Sequence, residues 1–219
     1  MAPRLLTTIQ FKDAARLLAE YCAPRSENAW PLYDEDLAPN SLCGADLTAT
    51  ALLSYSIPGR YLNKFNIRDA ANTQDRSYQR LLEAMEAFVA YPAGLTFAEL
   101  DVAVVLGEGE APPAWAAFTA CLDAVQPCQG LWSTAVTKIL HRKRPDLVPI
   151  NDSLVRRFYQ VSNGYKPLFS AIHTELNDTQ TMRALIELAG EYTTPSGRPM
   201  TTLRALDIIV WMYEKEKAK

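Results

Sequence analysis

At 219 residues, with 48% hydrophobic and 21% charged side chains, the chain is long enough to bury a substantial core and has the composition expected of a soluble globular protein. A net charge of −3 argues against a general nucleic-acid coat protein, and no apolar run approaches the roughly 20 residues of a membrane span. The four cysteines, Cys22, Cys43, Cys121 and Cys128, form no CxxC and have no neighbouring histidine, so reduced thiols are expected and a metal site is not.

The opening residues MAPRLLTTIQFKDAARLLAE break into charges too early for a secretory signal, so a cytoplasmic location is expected. Phe11, Ala14, Ala15, Leu18 and Cys22 then share one helical face. Residues 54–65 (SYSIPGRYLNKF) are too polar and aromatic for a core helix and read as a loop. Leu81, Leu82, Met85, Phe88 and Val89 repeat at threes and fours. Residues 102–106 (VAVVL) are the best strand candidate, bounded by Gly107. Residues 107–113 (GEGEAPP) are the most plausible lobe boundary. Near the C-terminus, Leu203, Leu206, Val210 and Tyr213 again have helical spacing. Trp115 and Trp211 fall on periodic helices and are assigned to the core, and Asp207 needs a partner that Arg204 can supply at i−3. The expected fold is all-α: a two-lobed bundle of about ten helices forming one unit over residues 1–219.

Residues 113–161 carry the functional information. Pro113 starts a helix well because its missing N–H would be unpaired there anyway. That helix ends near Gln126-Pro127, Cys128-Gln129-Gly130 turn the chain, and a second helix is expected from Leu131 to about His141. Two helices joined by a tight glycine-containing turn make a hairpin whose second N-terminus can hold a phosphate. The sequence HRKR at 141–144 ends that helix, PDLVPI forces an extended path, and Asn151 or Asp152 caps the next helix. Lys138, Arg142, Lys143, Arg144, Arg156 and Arg157 against Asp146 and Asp152 give this stretch a local excess of four positive charges. Such segregation is a binding-surface signal, although dipole compensation and helix capping account for the same residues without any function.

These residues resemble the helix-hairpin-helix DNA glycosylases, whose signature is a Gly-x-Gly hairpin, a helix, and a V-D-x-H-V-x-R segment with a catalytic aspartate. Gly130 matches the first hairpin glycine, and Asp152 follows at close to the family separation without a gap. Ser153, Val155 and Arg157 fit the positions after it. The resemblance covers about 30 residues. Trp132 replaces the second hairpin glycine, where a bulky side chain disfavours positive φ and suggests a remodelled hairpin. Leu154 replaces the usual histidine, Asn151 intrudes before the aspartate, and the family's four-cysteine cluster is absent. Thr134 stands where bifunctional members carry their Schiff-base lysine. Lys138 lies one turn further along the same face and could substitute, but a solvated or phosphate-contacting lysine is the more ordinary reading.

The resemblance implies a monofunctional enzyme, without cofactor or metal, that flips a damaged or modified base out of DNA and hydrolyses its glycosidic bond. Asp152 would stabilise the oxocarbenium ion and orient water. Gly130, Leu131, Trp132, Ser133, Arg142, Lys143, Arg144 and Arg157 would hold the DNA backbone. Tyr55, Tyr61, Trp30 and Asn151 are candidates for the base pocket, Tyr33 and Trp132 are further stacking aromatics, and residues 54–65 are a candidate lesion-reading or duplex-wedging loop. The substrate class extends to hypermodified bases of phage DNA, since some bacterial members of this type serve antiviral defence. A monomer with DNA as its partner is expected. The alternatives are a catalytically inactive DNA-binding relative and a helical protein-interaction domain. Metal-dependent nuclease or deaminase chemistry is disfavoured, because His141 and His173 are the only histidines and lack ligand-like spacing.

Overall fold

A computed structural model describes residues 2–24, 30–36, 38–57 and 76–218. Among these residues the chain is all-α, with eleven α-helices. They are α1 (Leu5–Thr8), α2 (Phe11–Cys22), α3 (Gly44–Ala49), α4 (Arg76–Val89), α5 (Val102–Leu106), α6 (Pro113–Ala124), α7 (Ser133–Lys143), α8 (Ser153–Tyr159), α9 (Tyr165–Leu176), α10 (Thr179–Ala189) and α11 (Thr202–Glu216). Short 3-10 turns occupy Thr50–Leu53 and Phe97–Glu99. No helix among the described residues is long and apolar enough to cross a membrane.

The helix ends follow local chemistry. Asp178 and Thr201 cap α10 and α11 by accepting from the N–H groups of Thr181 and Arg204. Residues 102–106, the strand candidate, are helical instead. Asp101 accepts from the Ala103 N–H at 2.7 Å, Gly107 closes the other end at φ +78°, and Val104 and Val105 are buried where the helix packs against α9. The caps, and the burial of two of its three valines, thus override their β preference. Helix α7 starts at Ser133, two residues later than its apolar pattern suggests, and runs on to Lys143.

Helix α11 is the organising element. It packs against α2, α8 and α10, and Leu203, Ala205, Leu206, Ile208, Ile209, Val210 and Met212 are buried along it. An aromatic group of Phe88, Phe97, Trp115, Phe118 and Phe169 fills the space among α4, α6 and α9, with Trp115 and Phe118 centroids 5.0 Å apart. Trp115 is fully buried, as its periodicity suggests. Trp211, also expected in the core, is only partly buried and lines a cavity.

Candidate functional site

Helices α7, α8 and α11 place their charged side chains around a cavity of about 250 Å³. Its wall includes Leu52, Leu53 and Ser54, then Lys138, Ile150 and Asp152, and finally a stripe of α11: Arg204, Asp207, Ile208, Trp211 and Lys215. Residues at i, i+3, i+4, i+7 and i+11 share one helix face, so a single turn register brings the whole stripe to the opening.

Asp152 is the N-cap of α8. One carboxylate oxygen accepts from the Leu154 N–H at 2.8 Å, and the other faces Lys138 Nζ at 3.1 Å. Lys138 also donates to the Leu53 carbonyl at 2.8 Å, and its ammonium lies 5.8 Å from the Tyr55 ring centroid. Both members of the pair are buried, with side chains 4% and 12% exposed. The 151–152 backbone is fixed by α7 itself. Thr134 donates to the Asn151 carbonyl, the Asn151 N–H donates to Thr137 Oγ1, and the Asn151 amide donates to Ser133 Oγ at 2.8 Å. Arg156 Nη1 completes the latch by donating to Asn151 Oδ1 at 2.6 Å. The aspartate is therefore pre-positioned by hydrogen bonds that do not use its own carboxylate.

On the other wall, Arg204 donates to both oxygens of Asp34, at 2.9 and 3.1 Å, to Asp207 Oδ2 at 2.6 Å and to the Tyr21 hydroxyl at 3.1 Å. Burial opposes its charge, but Asp34, Tyr21 and Asp207 outweigh that and hold the guanidinium above its ordinary range. Burial pushes Asp207 up to about 6; Arg204 pulls it down, and the nearby charge of Asp152 pushes it up again. Nearby, burial first and the charge of Arg204 next hold His141 down to about 3. His141 is therefore neutral, and its Nδ1–H donates to the Val148 carbonyl at 2.6 Å. Among the described residues, no three His, Cys, Asp or Glu side chains converge in a metal-holding group.

A family model described as a family of unknown function, DUF6308, matches residues 14–214. The chain belongs to that family. No curated protein and no solved structure matches it.

In this DUF6308 chain the hairpin keeps its turn. Gly130 takes φ +78°, a left-handed conformation that suits glycine. Trp132 takes an extended backbone, φ −126° and ψ 160°, which any residue adopts. Its side chain is 68% exposed at the start of α7, beside the half-buried Ser133. Leu131 is buried and offers no side chain to a ligand.

The basic cluster is not a surface. Arg142 and Lys143 are buried against Asp36 and Asp46, and Lys143 Nζ lies 3.2 Å from Asp36 and 2.8 Å from Asp46. Arg142 also donates to the carbonyls of Tyr33 and Glu35. Arg144 spends its guanidinium on the carbonyls of Pro39, Lys143, Val89 and Tyr91 and on Asn40. All three are structural clamps on the 33–46 segment, because a buried cation needs a full set of acceptors. Arg157 is exposed but pairs with Glu214 at 2.5 Å.

Tyr33 is fully buried, its hydroxyl donating to the Lys138 carbonyl, so it offers no stacking face, and two base-pocket candidates also lie elsewhere. Trp30 lines a separate crevice with Asp34, Arg142 and Arg198. Asn151 is fully buried in its latch rather than facing a ligand. Tyr55 stands beside the cavity, and Tyr61 lies outside the described residues. Lys138 is neither solvated nor free for a phosphate, since it is buried against Asp152. Sequence reasoning did not anticipate the stripe on α11, although Arg204, Asp207, Trp211 and Lys215 mark a polar line along an apolar helix.

Proposed function

We propose that this chain is a monofunctional DNA glycosylase that hydrolyses the N-glycosidic bond of a damaged or modified base flipped out of DNA. The observation that carries the reading is Asp152, a rigid N-cap carboxylate in the wall of a cavity, beside Lys138. A carboxylate held this way supplies fixed negative charge where an oxocarbenium ion develops at the sugar, and it can take a proton from attacking water. Lys138 fixes the second oxygen of Asp152. Its ammonium is already donating to Asp152 and to Leu53, which favours hydrolysis over Schiff-base chemistry.

The cavity volume of about 250 Å³ is small beside the roughly 300–1,000 Å³ of ordinary ligand clefts, and it suits a single heterocycle better than a bulky hypermodified base. Gly130, Trp132 and Ser133 at the start of α7 remain to meet the DNA backbone, with exposed Trp132 available to stack. We place the protein in the cytoplasm as a monomer acting on DNA. The base released decides between repair and antiviral defence.

A helical interaction domain without DNA is the second reading, and the burial of Arg142, Lys143 and Arg144 favours it. One experiment separates the two. Wild type and Asp152→Asn are incubated with duplexes carrying a panel of damaged and modified bases, and alkali reveals abasic sites. The proposal expects base release that falls by roughly 10²-fold or more in the variant. No abasic sites on any duplex, with no salt-dependent DNA binding, would overturn it.

A further inference from the structure

We propose that Asp207 is a second catalytic residue of this cavity, the acid that gives its proton to a ring nitrogen of the departing base; this rests on the glycosylase reading and names its leaving-group chemistry. Asp207 sits on the α11 stripe, in the same cavity wall that holds Lys138 and Asp152. Its Oδ2 accepts from Arg204 at 2.6 Å, while Oδ1 is buried and has no hydrogen-bond partner among the described residues. A buried polar atom without a partner calls for an explanation, and a bound ligand is one.

Arg204 does not require Asp207 for neutrality, because Asp34 already takes two of its N–H groups. Asp207 therefore keeps one carboxylate oxygen free of the Arg204 pair. The groups facing it are Arg204 and Asp34, which hold one another, Lys138 and Asp152 across the cavity, and the hydroxyls of Tyr21, Tyr33 and Tyr159. Lys215 lines the same cavity from two turns further along α11. Burial and the Asp152 charge leave Asp207 near 6, where an acid can both hold and release a proton close to neutrality. Both carboxyls are ion-paired, Asp152 with Lys138 and Asp207 with Arg204, and what distinguishes Asp207 is the oxygen that no protein group claims.

The step balances without a co-reactant. The C1′–N bond breaks and its electron pair goes to the base, whose ring nitrogen takes the proton from the Asp207 carboxyl. The resulting carboxylate is held by Arg204. Water adds its oxygen to C1′ and passes a proton to Asp152, and both carboxyls then re-equilibrate with solvent. The substrate class follows: a neutral base with an unalkylated ring nitrogen that accepts a proton. A base already cationic through alkylation needs no acid.

The test compares wild type with Asp207→Asn, which keeps an oxygen for Arg204. For a neutral base that wild type releases, the single-turnover rate should fall as pH rises through about 6. In the variant the rate should drop roughly 10²-fold and lose that limb. Release of a cationic N-alkylated purine should change less than threefold. Equal loss on both substrates, or release confined to cationic bases, would overturn the acid role. A second readout is independent of turnover: binding of free adenine by the intact protein, followed by ligand-observed NMR from pH 5 to 8. Wild-type affinity should rise about tenfold as pH falls through 6, and the variant should show no such dependence. If no duplex yields base but this binding pattern appears, the glycosylase reading falls and Asp207 stands as a donor to a heterocycle. If adenine binds independently of pH in wild type, or not at all, the Asp207 inference falls.

Discussion

Replacing Asp207 by Asn should stabilise the protein, by an amount that depends on pH. The carboxyl is raised from about 3.8 to about 6, chiefly by burial, and its side chain is only 11% exposed. At 1.36 kcal/mol per pKa unit, ionising Asp207 in the fold costs about 3 kcal/mol relative to the unfolded chain. The folded state holds this proton more tightly, so between roughly pH 4 and 6 it binds more protons than the unfolded state. Stability from this group is therefore present below about pH 4 and lost as pH rises through 6. Asn is neutral throughout and keeps an acceptor for Arg204 Nη1. Urea unfolding of both proteins at pH 4, 5, 6 and 7 should show little difference at pH 4. It should show a gain of about 3 kcal/mol for the variant at pH 7, with unchanged m values. A difference constant across pH, or a variant less stable at pH 7, would refute the reasoning and mean that Arg204 more than offsets the burial of Asp207.

Lys143→Gln leaves Asp46, a fully buried carboxylate, with one cation fewer, and should lower stability by about 3 kcal/mol in denaturant unfolding. The same variant should leave the slope of DNA affinity against salt unchanged, since the lysine is buried away from phosphates. Trp132→Ala removes an exposed side chain, so its unfolding free energy should stay within about 0.5 kcal/mol while affinity for DNA drops about tenfold in fluorescence titration. Lys138→Met strips Asp152 of its ion pair. Thermal and denaturant melts should show a loss of about 3 kcal/mol, and base release should fall because Asp152 loses the contact that fixes its second oxygen.

Apolar spacing was enough to read the all-α class, the buried Trp115 and the Arg204–Asp207 pair, because helical periodicity and i,i+3 contacts are local properties. The cap at Asp152 was legible for the same reason: a carboxylate before SLVRRFY is a local signal. What misled was charge. Arg142, Lys143 and Arg144 look like a surface cluster in sequence, but most of the carboxylates and carbonyls that bury them lie about 100 residues earlier, at 33–46, with those of Val89 and Tyr91 about 50 earlier. No periodicity links segments so distant. Lys138 went the same way, its partners Leu53 and Asp152 arriving from opposite directions along the chain. The valines at 102–106 illustrate a third limit, since one capping aspartate and one left-handed glycine outweigh their intrinsic preference.

The central claim is that Asp152 faces a cation forming at the sugar, and it can be tested without knowing the base. A duplex carrying a protonated pyrrolidine in place of one deoxyribose mimics that cation, and a tetrahydrofuran at the same position is its neutral control. Wild type should bind the cationic duplex at least about 10²-fold more tightly than the neutral one, and Asp152→Asn should lose that preference. Equal affinity of wild type for the two duplexes, or a preference that survives in Asp152→Asn, would contradict the account.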